Sequence, residues 1–138
     1  MSGVYARNRN TTYFAPVDNA AELQDAVTRY VMNEKRIPKR WRFLIGADLI
    51  KKVDEIVDYA IAANRTWLDE KHIETRTEWW NRCLNACDQL DRKLMRAQRA
   101  IESVTPDSMA QILELLDKEI GVVNAQKKAD KNPKEKKP

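Results

Sequence analysis

The side chains with reactive potential in this 138-residue chain are one histidine, two cysteines and a group of arginines. His72 falls in a predicted turn, Asp69-Glu70-Lys71-His72, with no HExxH pair, glycine-rich phosphate loop or nucleophile elbow in the sequence. A histidine so placed reads as a solvent-facing or capping residue in preference to a catalytic base. Cys83 and Cys87 share one face of a predicted helix and could offer two thiolates to zinc. A tetrahedral site needs two more ligands, and only His72 and scattered carboxylates are at hand. Both cysteines also lie on an apolar seam, where a free cysteine packs as a small hydrophobe. A di-iron bundle would require Glu-x-x-His pairs, which the chain lacks. We expect no metal, no cofactor and no enzymatic activity.

The arginines are more informative. With Trp80 at heptad position a, Arg82, Asn85, Gln89, Arg92, Arg96 and Arg99 fall at c and f, opposite the seam. Asp88, Asp91 and Glu102 fall at b and e instead. The result is a cationic stripe with the layout of a phosphate-backbone contact; a solvated helix face is the competing reading. Lys39, Arg40 and Arg42 add cations in a predicted first helical turn, where the helix dipole favours acids. Residues 127–138 hold six lysines against Asp130 and Glu135, which accounts for the whole net charge of +4. Residues 1–126 are therefore neutral, and any surface for a polyanion must come from segregated charge. The candidate nucleic-acid contacts are Lys39, Arg40, Arg42, Arg82, Arg92, Arg96 and Arg99. Trp41, Trp67, Trp79 and Trp80 could stack on bases, but three of them fit core positions. Trp79, beside the seam, is the candidate for a subunit or partner contact.

The elements that position these groups follow from composition and period. With 43% hydrophobic and 33% charged residues, three glycines and five prolines, the chain reads as one all-α domain. Asp18 or Asn19 offers an N-cap to a first helix carrying Leu23, Ala26, Val27, Tyr30 and Val31 and ending near Lys35 or Arg36. A second helix is expected from Pro38 to Leu68. Its apolar face would hold Trp41, Leu44, Ile45, Leu49, Val53, Ile56, Val57, Ala60, Ala63 and Trp67, with a close helix crossing at Gly46. The third has the cleanest period: Trp80, Cys83, Cys87, Leu90, Leu94, Ala97, Ile101 and Val104. Thr105-Pro106-Asp107 should end it and open a fourth helix with Met109, Ile112, Leu113, Leu116, Ile120 and Val123 inward. Short connections predict an up-down-up-down antiparallel four-helix bundle over residues 18–126. An irregular arm (1–17, with Tyr5, Arg7 and Arg9) and a disordered lysine-rich tail (127–138) flank it. No apolar run reaches membrane-spanning length and no secretory leader pattern is visible, so a cytoplasmic protein with reduced thiols and no membrane partner is expected.

The run Ile37-Pro38-Lys39-Arg40-Trp41-Arg42-Phe43-Leu44-Ile45-Gly46, followed one helix-length later by Ala62-Ala63-Asn64, resembles a family signature. It is the second-helix signature of small four-helix-bundle proteins of bacteria and phages. That family includes the ribosomal RNA intervening-sequence proteins and the accessory variability determinant (Avd) of diversity-generating retroelements. Pro38, Lys39, Arg42, Gly46 and Asn64 carry the likeness. The resemblance implies a homopentameric ring that binds a reverse transcriptase and contacts RNA, or an RNA/cDNA hybrid, during mutagenic cDNA synthesis. A structural module that binds proteins alone, and a small helical enzyme or metal carrier, are the alternatives.

Overall fold

The computed structural model describes residues 13–132, which form four α-helices and no strand. These are α1 (Ala15–Met32), α2 (Ala47–Arg65), α3 (Ile73–Ala100) and α4 (Ala110–Lys131). Residues 1–12 and 133–138, which include Tyr5, Arg7, Arg9 and the last three tail lysines, lie outside the described residues. α1 and α3 each pack against both α2 and α4, so the four helices surround a common interior. Leu23 and Val27 from α1, Leu49, Val53 and Ile56 from α2, Trp80, Leu90 and Leu94 from α3, and Ile112, Leu116 and Val123 from α4 fill it. Each such side chain contributes about 1.5–3 kcal/mol by leaving water. No helix among the described residues is long and apolar enough to cross a membrane.

Cross-helix polar contacts fix the pairing level by level. Gln24 of α1 donates to Asp54 of α2 at 2.8 Å, Lys52 of α2 to Gln89 of α3 at 2.6 Å, and Lys93 of α3 to Asp48 of α2 at 2.8 Å. Tyr30, near the end of α1, meets Ser108 just before α4 at 2.5 Å.

The helix ends differ from their sequence-based placement, each for a local reason. α1 starts at Ala15, inside the stretch assigned to the arm. Asp18 reaches back one turn to accept from the Phe14 N–H at 2.5 Å, and Pro16 sits in the first turn, where its missing N–H costs nothing. At the other end α1 stops at Met32, because the Asn33 side chain accepts from the Lys35 N–H at 3.0 Å and closes a turn that competes with the helix. α3 stops at Ala100 and not at Thr105. Ser103 is drawn away by a reciprocal pair with Arg36: its hydroxyl donates to the Arg36 carbonyl at 2.6 Å, and its carbonyl accepts from the Arg36 guanidinium at 3.3 Å. Thr105 exchanges hydrogen bonds with Ser108 at 3.1 Å in both directions, and this pair closes the 3₁₀ turn Asp107–Met109 that leads into α4. α4 then continues to Lys131, so five residues assigned to the disordered tail are helical.

The largest departure is at the start of the second helix. Residues 38–46 do not join α2 as regular helix: Lys39–Trp41 form a 3₁₀ turn and Arg42–Gly46 a π-helical turn. The π turn ends at Gly46, where a Cβ would stand 2.8 Å from Val31 Cγ1. α1 and this segment therefore touch side chain to backbone at the end of the wider turn. The register shift carries Leu44 out of the core it was expected to join and leaves Phe43 95% exposed.

Candidate nucleic-acid interface

The α3 stripe is on the surface, but most of its charge is answered within the chain. Arg82 lies 2.9 Å from Glu78, Arg92 3.3 Å from Asp88, and Arg96 4.0 Å from Asp48. Two of these partners sit one turn earlier on the same helix, where an exposed pair is worth only about 0.3–0.5 kcal/mol. Such pairs exchange readily with other anions, yet they dilute the stripe's field. Arg99, in the last turn, is exposed and has no carboxylate partner among the described residues.

The second cluster divides in the same way. Arg42 is three-quarters covered; its guanidinium donates to the Met32 carbonyl at 3.1 Å and stands 3.8 Å from Glu34. It closes the end of α1 and is poorly placed to meet a phosphate. Lys39 is exposed and 3.5 Å from Glu34. Arg40 is exposed, has no carboxylate partner among the described residues, and holds its guanidinium 5.8 Å from the Trp41 ring centroid. Trp41 is partly buried against the core. A hollow of about 610 Å³ opens here, between Pro38, Arg40 and Trp41 on one side and Ala100 to Ser103 on the other. The structure thus sets Arg40 beside the end of α3, next to the residue that follows Arg99.

Several sequence candidates occupy other roles. Trp79 is half-buried, stacked on Tyr59 with ring centroids 6.0 Å apart, and has Arg82 at 5.1 Å on its ring. Trp67, expected in the core, is 75% exposed in the α2–α3 connection. Asn64 is exposed near the end of α2. His72 precedes α3, and its ring nitrogen lies 2.7 Å from Asp69, whose carboxyl that hydrogen bond holds below its ordinary pKa. Cys83 and Cys87 are free and buried. The neighbouring Cys87 thiol, together with burial, pushes the Cys83 thiol far up, so it is a neutral packing group leaning on the Ile56 carbonyl at 3.6 Å.

Two buried polar clusters were missed. At the end where α3 begins, Asp130 accepts from Arg76 Nε at 2.7 Å, Trp80 Nε1 at 2.9 Å and Gln126 at 2.8 Å. Arg76 also donates to the Ala63 carbonyl in the last turn of α2 at 3.0 Å and to that of Thr66, the residue that follows the helix, at 3.1 Å. The arginine side chain is 7% exposed and the aspartate 0%. Midway along the bundle Glu119 is fully buried, accepting from Asn19 at 3.0 Å, with Cys83 4.0 Å away. Burial pushes its pKa up to about 7, moderated by the Asn19 hydrogen bond. The signal was present in both cases: Arg76 lies four residues before Trp80 on the seam, and Glu119 and Asp130 follow Leu116 and Val123 at steps of three or seven. A charged residue on a seam position requires a buried partner or a shifted protonation state.

No family model, curated protein or solved structure matches the chain.

Proposed function

We propose that the chain is a non-catalytic accessory subunit of a diversity-generating retroelement, working in the cytoplasm. In this role it assembles with copies of itself, as a pentamer by resemblance to Avd, and helps a reverse transcriptase hold its template RNA. The partner and the assembly come from the likeness of residues 37–46 and 62–64. The observation that carries the RNA contact is the pair Arg40 and Arg99, two exposed guanidinium groups without carboxylate partners among the described residues, on elements that meet at one hollow. That location refines the stripe, whose other arginines already have partners. The framework would be the up-down-up-down antiparallel bundle. Residues 24 and 31 of α1 meet 54 and 46, residues 19 and 30 of α1 meet 119 and 108, and residues 48 and 52 of α2 meet 93 and 89 of α3, each pair of numbers running in opposite directions as opposed neighbours require.

The mechanism is electrostatic. Each guanidinium that neutralises a phosphate releases a counterion, so affinity for single-stranded RNA falls with salt by a logarithmic slope of about 0.7 per contact. Titrating labelled RNA against the wild type and an Arg40→Gln/Arg99→Gln variant, between low and moderate salt, tests this. We expect weaker binding and a slope smaller by about 1.4, two contacts' worth. Unchanged affinity with a flat salt dependence removes RNA from the account.

The exposed apolar group Met32, Phe43 and Leu44 favours a second reading, a protein-binding module without a nucleic-acid role. It predicts that Phe43→Ser abolishes partner capture at any salt concentration, while Arg40→Gln/Arg99→Gln leaves it intact.

A further inference from the structure

Resting on the RNA reading, we propose that the hollow between the 3₁₀ turn and the end of α3 receives one unpaired guanine of a single strand. The argument is chemical complementarity. At about 610 Å³ the hollow is within the size of ordinary ligand sites, roughly 300–1,000 Å³. Trp41, held by packing against the core, lines it, with the Arg40 guanidinium 5.8 Å from the ring. Unstacked RNA bases pack on such aromatic and guanidinium planes.

The opposite wall selects among bases, because it presents acceptors. Glu102 lines it and has no cationic partner among the described residues. A carboxylate can only accept. α3 ends on the same side, which places the negative end of its helix dipole there. Guanine alone among the four bases sets two neighbouring donors, N1–H and N2–H₂, on its pairing edge, and these match the two oxygens of a carboxylate. Adenine and cytosine set a ring-nitrogen acceptor beside their amino group, and uracil sets carbonyls on both sides of its one N–H, so each brings a lone pair against the wall. The wall is fixed in advance by the reciprocal Arg36–Ser103 pair, at 2.6 and 3.3 Å, so little ordering remains for binding to supply. Arg40 lines the hollow and Arg99 directly precedes its rim residue Ala100, so the two supply the cations for phosphates beside the base.

The test uses twelve-nucleotide uridine strands with a single central guanosine, inosine or adenosine, titrated by fluorescence anisotropy against the whole chain. Inosine lacks the N2 amine and isolates that contact. We expect the guanosine strand to bind about tenfold or more tighter than the adenosine strand, with inosine between them. The exposed Glu102→Gln variant should bring the three strands together without changing the salt slope. A wild type that binds all three equally, with a steep salt dependence, overturns the guanine site and leaves the RNA reading standing; so does retained preference in Glu102→Gln. A wild type that binds none of them at low salt overturns both.

Discussion

The two halves of α3 hold the same chemistry in different surroundings. Near its start Arg76 meets Asp130 at 2.7 Å in the dry interior; further along, Arg92 meets Asp88 at 3.3 Å in water. The first pair holds three helices together, since Arg76 on α3 also takes two carbonyls from the end of α2 and Asp130 belongs to α4. The second holds nothing that solvent and salt would not replace. Burial, and not the presence of opposite charges, decides what an ion pair does for a fold.

Predictions that break or sharpen this contrast begin with the buried pair. Asp130→Ala should destabilise by about 3–5 kcal/mol, because it leaves the Arg76 guanidinium charged and uncompensated in the interior. Urea denaturation reads this directly, and the paired Arg76→Met/Asp130→Leu change should restore most of the loss. A loss below 1 kcal/mol for Asp130→Ala would mean water reaches the cluster.

Glu119 is the buried acid without a cation. Its folded pKa of about 7 lies above the 4.5 of a free carboxyl, so the folded state holds a proton that the unfolded state has released between those values. That part of the stability is present at low pH, falls as pH rises from about 4.5, and is gone above about 7. Glu119→Gln removes the dependence: relative to wild type it should gain about 2 kcal/mol between pH 5.5 and pH 8, at 1.36 kcal/mol per unit. Parallel pH profiles for the two proteins would place the titration elsewhere.

Thr105 is intermediate, exposed but engaged with a helix end. Thr105→Ala should cost about 1 kcal/mol by thermal denaturation, the ordinary worth of an N-cap. Smallest of all, Asp88→Ala should change stability by at most about 0.5 kcal/mol, and less in high salt. A larger effect would show that the α3 surface is more enclosed than its exposure suggests.

The same contrast explains what could be read in advance. The period of α3 marks its inward residues from Trp80 to Ala97, and Thr105-Pro106-Asp107 marks the turn that opens α4, because both signals are local. Residues 38–46 were misread as regular helix, since the π turn ends at a contact with Val31 on another element, invisible to any count along the chain. Trp67 continues the period of the apolar face of α2, but the helix ends at Arg65, before the period reaches it. The lysines after Gln126 mask Asp130, whose reason for burial lies 54 residues away in Arg76 and 50 away in Trp80. Of the basic candidates, residue type marked all seven, but only the three-dimensional neighbours of each separate Arg40 and Arg99 from those already spoken for.

The π turn also has a consequence for how this chain tolerates change in length. A π turn carries an additional residue relative to an α turn, so it behaves as an insertion stored within the helix. Deleting one residue between Arg42 and Gly46 would let the ladder become regular and turn the short segment 38–41 by about 100° around the axis of α2, with the α1 connection taking up the change. Arg40 and Trp41 would then leave the hollow while the four-helix interior stayed filled, and a loss-of-binding variant could arise without any loss of fold.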